Sequence, residues 1–239
     1  MVCLETNKST RGFTMLTLKE LEIKERLNRI DTASVCDALD SLSLVGGLQG
    51  IKPRTPGTIM AGPVYTVQYA PIERDTATFL NAGNYIDEVP EGYVVLVDNQ
   101  GRLDCTSWGG ILTSKAQRKN IAGTVIYGSG RDIREIQNAN YPLFSTGIYM
   151  VSGKNRAIVA HRQVCIEIHG VSIYPGDWLF GDDNGVVVIP KDQLEETLYR
   201  AENTEQTEKK ILDAINSGET LEAARAQYSY STPWEVSKE

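Results

Sequence analysis

An arginine and an aspartate stand side by side at Arg131-Asp132, after a run of residues that can present them. Thr124-Val-Ile-Tyr-Gly128 reads as a buried strand entering a glycine-rich turn, Ser129-Gly130 deliver the pair, and Ile133-Arg-Glu-Ile136 resumes as a helix. A guanidinium is a fork of donors for a planar anion, and a carboxylate beside it is a hard oxygen ligand for a metal. Upstream, Ser107-Trp-Gly-Gly-Ile-Leu112 has the form of a tight turn opening a helix, where unpaired backbone N–H groups favour an anion. Gly109, Gly110, Ile111 and Leu112 would supply those amides. Together the two segments point to a small carboxylate substrate held by arginine, amides and a divalent cation. An Arg-Asp pair by itself is an ordinary surface ion pair; its place after a buried strand and a Gly-x-Gly turn distinguishes this one.

The elements needed to hold such a site can be read along the chain. Thr17-Leu-Lys-Glu20 has capping-box spacing and opens a helix to about Ile30, and Asp31-Thr32 starts another that ends near Ser43. Val64 to Tyr69 alternates as a strand, Ala77 to Ala82 suits a short helix, and Gly92 to Asp98 is a buried strand. A helix from Gly110 to Lys119 then leads to the strand beginning at Gly123. Near-continuous apolar strands alternating with helices mark βαβ units around a largely parallel sheet. Short strands follow at Pro142 to Ser145, Val164 to Ile168, Val171 to Tyr174, Trp178 to Gly181 and Gly185 to Ile189. Pro175-Gly176-Asp177 and Asp182-Asp-Asn-Gly185 are the turns between them. With no linker between the halves, residues 1–239 read as one α/β domain.

Composition narrows the function. With 41% hydrophobic and 23% charged residues the chain is an ordinary globular sequence. No apolar run reaches the length of a membrane span. The polar start, residues 1–16, reads as a loose extension without a signal-peptide core, so a cytoplasmic location is expected. A net charge of −7 argues against nucleic acid as the main partner. Cys3, Cys36, Cys105 and Cys165 lack metal-binding spacing and read as reduced thiols, mostly in the core. Two histidines, His161 and His169, are too few for a histidine-rich zinc site, which leaves a hard cation such as Mg²⁺ or Mn²⁺ on oxygen ligands.

Residues 191–239 form a helical extension with 11 acidic and 6 basic residues. Leu194, Leu198, Ala201, Glu205, Glu208, Leu212 and Ile215 fall on one helical stripe. Either the middle of this helix leaves the core, or it reaches over a neighbouring subunit and points Glu205 or Glu208 into a polar pocket. Gly218 ends the helix, and Tyr228 to Glu239 reads as a tail.

Taken together, Asp98-Asn-Gln-Gly-Arg-Leu-Asp-Cys-Thr-Ser-Trp-Gly-Gly-Ile-Leu-Thr113, the Gly-x-Gly-Arg-Asp turn at Gly128 to Asp132, and Pro175-Gly-Asp177 leading to Asp182-Asp-Asn-Gly-Val186, with Asp37-Ala-Leu39, resemble the RraA-like family. That family includes class II 4-hydroxy-4-methyl-2-oxoglutarate aldolases, oxaloacetate decarboxylases and the bacterial regulator of ribonuclease activity A. The resemblance covers most of the chain, from about Ile30 to Gly218. It implies a compact α/β–β/β/α fold with flanking N- and C-terminal helices, and ring-shaped trimers or hexamers with active sites shared between subunits. It further implies that Arg131 grips a pyruvate moiety, that Asp132 anchors a divalent metal, and that amides of Gly109 to Leu112 hold the substrate carboxylate. A glutamate, best matched by Glu208, would arrive from the neighbouring subunit. One departure stands out. Catalytic members carry an acid 21 positions before the arginine, and here that position is Gly110. Asp104 is a candidate replacement. Tyr127, where relatives often have Asp, is a second departure.

The reaction this implies is metal-dependent cleavage of a carbon–carbon bond in a small oxo-acid, by retro-aldol cleavage or decarboxylation through a pyruvate enolate. Two other functions fit the same resemblance: a non-catalytic trimeric binding protein, like the ribonuclease regulator, and an isomerase or hydratase using the same pocket.

Overall fold

A computed structural model describes residues 15–72 and 83–235. The expected helix at Ala77 to Ala82, the stretch before Met15 and Cys3 within it lie outside the described residues. Thr17 opens helix α1 (Leu18–Leu27): its hydroxyl accepts the Glu20 N–H at 3.2 Å, and Glu20 accepts the Thr17 N–H at 2.7 Å. This reciprocal pairing is the capping box. Asp31 caps α2 (Thr32–Ser41), accepting the Ser34 N–H at 2.8 Å. The chain then runs through strands β1 (Lys52–Pro53), β2 (Met60–Pro71), β3 (Val94–Asp98) and β4 (Thr106–Trp108). Next come α3 (Gly110–Arg118), β5 (Gly123–Gly130), α4 (Ile133–Asn138) and β6 (Leu143–Ile148). The second half adds β7 (Ala157–Arg162), β8 (Ile166–Ile168), β9 (Val171–Ile173), β10 (Trp178–Asp182) and β11 (Gly185–Ile189). Helices α5 (Leu194–Asn216) and α6 (Leu221–Gln227) follow.

Nine strands form one sheet in the order β1-β6-β5-β3-β2-β10-β11, with β4 added to β5 and β7 added to β2. The centre is parallel, as expected: β2, β3, β5 and β6 run together. The flanks β1, β7, β10 and β11 are antiparallel. Strand β1 lies against β11, and Gly47 bridges to Val187, so the sheet nearly closes on itself. The hairpin β8–β9 stands apart as a two-stranded sheet.

Strand alternation divides the core. Val95, Val97 and Ile126 face Trp108, Ala116 and Ile136, beneath α3 and α4. Their neighbours Val94, Leu96 and Val125 turn inward to Phe144, Leu179, Val188 and the hairpin residues Ile166 and Ile168. Outside β10 and β11, helices α1, α2 and α5 bury Leu27, Val35, Leu39 and Leu198 against Phe180 and Ile189. Cys105 is buried, Cys36 half-buried and Cys165 exposed, all as free thiols.

Three expectations need correcting. The glycine-rich segment after Tyr127 is not a turn. Strand β5 continues through Gly130, with a bulge between Ile126 and Ser129, because β4 and β6 pair with its end. The stripe on α5 also shifts. After Ala201 the buried positions are Thr204, Thr207, Ile211 and Ala214, while Leu212 is 58% exposed. Small threonines keep the middle of the helix on the core and bring Glu205 and Glu208 to its half-buried edge. Finally, the segment after Tyr228 folds back onto α5 rather than trailing as a tail. Arg200 lies over the Trp234 ring at 5.1 Å, and the Tyr199 hydroxyl donates to the Trp234 carbonyl.

Asp177 in the Pro-Gly-Asp turn shows how the second half is fastened. Its buried carboxylate accepts the Tyr174 N–H at 2.8 Å and the Lys191 N–H at 3.0 Å, tying the end of β9 to the start of the C-terminal helices. Asp177→Ala would strand both donors and is expected to lower unfolding free energy by roughly 2–4 kcal/mol in urea titration. A change under about 0.5 kcal/mol, the usual size of a surface effect, would exclude this fastening role.

Candidate functional site

The chemistry expected at Arg131-Asp132 and at Gly109-Gly110 meets because β4 pairs in parallel with the end of β5. Trp108 lies opposite Gly130, and the Arg131 N–H donates to the Trp108 carbonyl at 3.1 Å. The turn into α3 is held from below. Trp108 stacks on Tyr141 with centroids 6.3 Å apart, its Nε1–H donates to Thr113 Oγ1 at 2.9 Å, and that hydroxyl donates to the Gly109 carbonyl. Asp132 sits at φ +59°, ψ +34°, a left-handed conformation that aspartate adopts more readily than most side chains. Its carboxylate therefore does not cap α4. Instead Asp132 Oδ2 accepts the Gly110 N–H at 2.9 Å, with the Arg131 Nε at 3.5 Å. This bond corrects the expected role of Gly110, whose amide is already engaged. The N–H groups of Ile111 and Leu112 remain without an acceptor among the described residues.

These groups line a cleft of about 470 Å³ formed by Gly109 to Leu112, Arg131, Asp132, Tyr69, Thr106, Ser107, Glu135 and the loop Ser152 to Lys154. Arg131 and Asp132 are each a little over one-third exposed. The buried Ser107 hydroxyl lines the cleft and has no hydrogen-bond partner among the described residues. Arginine, two free helix-start amides and a hydroxyl suit a small carboxylate.

A hard divalent cation fits the same donor set. Asp132 Oδ1 is engaged by no described residue and is open to the cleft. No cluster of three or more histidine, cysteine or acidic side chains suited to a metal occurs among the described residues. One or two carboxylates with the remaining positions left to water and substrate is the pattern Mg²⁺ accepts, whereas a closed zinc centre needs more ligands.

Other candidates fall elsewhere. Asp104 is taken by Arg102, at 2.9 and 3.0 Å, and does not line the cleft, so it does not replace the acid absent from position 110. Tyr127 packs edge-on against His169 outside the cleft. Lys115 pairs with Asp87 at 2.7 Å. Asp182 serves the fold by accepting the Thr32 N–H and hydroxyl, and Asp183 accepts the Gly57 N–H. Glu208 is not among the residues lining this cleft within one chain. It faces Glu205, Asp31 and Asp37, and burial first, then those charges, pushes its carboxyl above the usual range.

The sequence reading missed Ser107 as a lining residue, the 152–154 loop and Glu135. Only Glu135 left a signal: it follows Asp132 by three residues, the spacing that puts two side chains on one side of a helix start.

A mixed α/β protein with a nearly closed sheet, flanking helices and a polar cleft at the ends of adjacent parallel strands is thus defined. Residues 32–188 match the family model described as RraA-like: Aldolase/RraA, and the chain belongs to that family. Protein DlpA of Legionella pneumophila is 49% identical over 210 residues, 88% of this chain and 34% of DlpA, so the chain spans about a third of that relative. A Halalkalibacterium halodurans protein, provisionally named a 4-hydroxy-4-methyl-2-oxoglutarate aldolase, is 34% identical, the match covering 82% of this chain and 91% of that one. The crystal structure of an uncharacterized protein from Pseudomonas syringae pv. tomato superposes with a TM-score of 0.80 at 45% identity. It covers 89% of this chain and 100% of that one.

Two outcomes follow from the geometry. A Cβ at Gly109 would stand 2.6 Å from Asp132 Oδ2 and 3.2 Å from Arg131 Nε, yet its φ of −164° is backbone any residue adopts. Gly109→Ala should cost no more than about 1 kcal/mol of stability, the scale of the one hydrogen bond it displaces, and weaken oxalate binding, titrated calorimetrically with Mg²⁺, by about tenfold or more; undiminished affinity would separate the pair from anion binding. For Glu208 the folded pKa lies above the unfolded one, so the folded state binds the extra proton and stability falls as pH rises through the raised value. Glu208→Gln should therefore raise the unfolding temperature at pH 7.5, with the gain shrinking toward pH 4; a pH-independent gain would assign it to packing.

Proposed function

We propose that this chain is a divalent-cation-dependent carbon–carbon lyase acting on a small 2-oxo acid. The substrates envisaged are oxaloacetate, by decarboxylation, and 4-hydroxy-4-methyl-2-oxoglutarate-type acids, by retro-aldol cleavage. The observation that carries this reading is the convergence of Arg131, Asp132 and the free Ile111 and Leu112 amides in one cleft. The amides and Ser107 orient the substrate's C1 carboxylate, and Arg131 neutralises it together with the adjacent keto oxygen, where negative charge grows as the carbon–carbon bond breaks. Asp132, fixed by the Gly110 N–H, is the residue that would hold Mg²⁺ or Mn²⁺. When bound, the cation supplies further stabilisation of that developing charge.

The same reading places the working unit in a homotrimer or hexamer. Ile111 and Met150 are 87% and 75% exposed, and Leu103 and Ile148 are more than half exposed. Ile148 lies opposite Gly130 in the sheet, so part of this apolar surface rims the cleft. A subunit covering it would bring its own C-terminal helix, and Glu205 or Glu208, to the site. Glu205 already pairs with Lys209 at 3.1 Å, so it is the half-buried Glu208, beside the Glu205, Asp31 and Asp37 charges, that gains from a cationic partner there.

Pyruvate release from oxaloacetate and from 4-hydroxy-4-methyl-2-oxoglutarate, followed with Mg²⁺ or Mn²⁺, tests the proposal. Chelation is expected to abolish turnover, and Asp132→Ala to lower kcat/KM by about a hundredfold or more. Turnover indifferent to chelator, or intact in Asp132→Ala, would eliminate this mechanism. No turnover on either acid would favour the binding-protein reading.

A further inference from the structure

Position 110 has no side chain, but its space is filled. A Cβ built on Gly110 would lie 2.5 Å from Glu135 Oε2, 2.7 Å from Cδ and 2.9 Å from Oε1, so the Glu135 carboxylate occupies the volume that a side chain at residue 110 would enter. Glu135 lines the cleft with Arg131 and Asp132, and its carboxylate has no hydrogen-bond or ion-pair partner among the described residues. Its local alternative is not used. Asp132-x-x-Glu135 has the spacing of a capping box, in which the Asp132 side chain would accept the Glu135 N–H and the Glu135 side chain would accept the Asp132 N–H. The left-handed Asp132 makes no side-chain cap, and its carboxylate is directed to Gly110 instead. Two carboxylates that could have stabilised α4, by about 1 kcal/mol for a cap, both meet residue 110.

We propose that Glu135 is the acid–base residue of the cleft, reaching from α4 the space that an acidic side chain at position 110 would otherwise occupy. This rests on the lyase reading above and names the group that moves its proton. In retro-aldol cleavage Glu135, directly or through one water, takes the proton of the C4 hydroxyl. The C3–C4 bond breaks, its electron pair passes to C3 of the departing enolate, and C4 leaves as a carbonyl. Glu135 then returns the proton to C3, giving two carbonyl products with no net proton change. In decarboxylation the C4 carboxylate leaves as CO₂ and Glu135 relays a water proton to C3. Glycine at 110 is then a requirement: an acid there would collide with Glu135 and repel it.

The test is an exchange of positions. Wild type, Glu135→Ala, Gly110→Asp and the double variant are compared with Mg²⁺ in two assays: pyruvate release from oxaloacetate, and loss of the methyl protons of pyruvate in D₂O by NMR, which needs proton transfer but no carbon–carbon cleavage. Glu135→Ala is expected to lower kcat in both by about a hundredfold, the usual scale for a general acid–base, with KM within about threefold because the binding groups are untouched. Gly110→Asp alone should also lose activity. The double variant should recover to within about tenfold of wild type, which a merely structural role for Glu135 does not explain. A double variant no better than Glu135→Ala, or a Glu135→Ala protein as active as wild type, overturns the assignment. Exchange without cleavage in the wild type defeats the lyase reading while the four-way comparison still decides Glu135. Silence of the wild type in both assays overturns both.

Discussion

The hydrogen bond from the Gly110 N–H to Asp132 Oδ2 sets the geometry of everything around it. It joins the first residue of α3 to the residue that precedes α4, two points that the chain separates by a helix and a strand. It forms because β4 pairs with the last residues of β5, because the φ of Asp132 is positive, and because Gly109 leaves room for the carboxylate. Once the bond exists, the next two amides of α3 and the second Asp132 oxygen are left without partners among the described residues. The guanidinium of Arg131 is fixed alongside by its own backbone bond to Trp108. A single short contact thus apportions donors and acceptors between protein and ligand, the kind of preorganisation that costs nothing at the moment of reaction.

Much of this was legible in the residues. Alternation marked Val64 to Tyr69, near-continuous apolar runs marked the buried strands that follow, capping spacing marked α1 and α2, and a strand followed by Arg-Asp pointed to the cleft that Arg131 and Asp132 line. What stayed hidden depends on contacts between distant segments. Nothing local to Thr106-Ser-Trp108 says that it will lie parallel to Ser129-Gly130, so β4 reads as a turn and β5 as ending early. Thr204 and Thr207 look like solvated positions, yet a threonine is small enough to sit against α2, and it rotates the buried face of α5 away from the sequence stripe. Glu135 resembles any exposed glutamate on a short helix until the empty side of Gly110 is placed against it.

With a net charge of −7 the whole molecule would repel an anionic ligand at long range. At physiological ionic strength that repulsion is screened beyond about 8 Å. Attraction of an anion would then have to be local, through Arg131 and the helix-start amides of the cleft. Acidic groups are gathered elsewhere, at the junction of α2 and α5, where burial first and then the neighbouring carboxylates hold the Asp37 and Glu208 carboxyls above the usual range.

Strand β2 carries a consequence for how the molecule is assembled in time. It pairs with β3 along one edge, while its other edge is shared between β10, at Met60 to Pro63, and β7, at Val67 to Pro71. Residues 60–148 contain all four central parallel strands, and a ribosome delivers them first. Until residues 157–182 emerge, the second edge of a long and largely buried strand has no partner. Such an edge is a template for another chain. High sequence separation also makes its proper closure slow. The cleft lies on earlier-made segments, apart from the loop at Ser152 to Lys154 and Ala157 at the start of β7. Yield of soluble protein should therefore be governed by the late antiparallel strands rather than by the residues that do the chemistry.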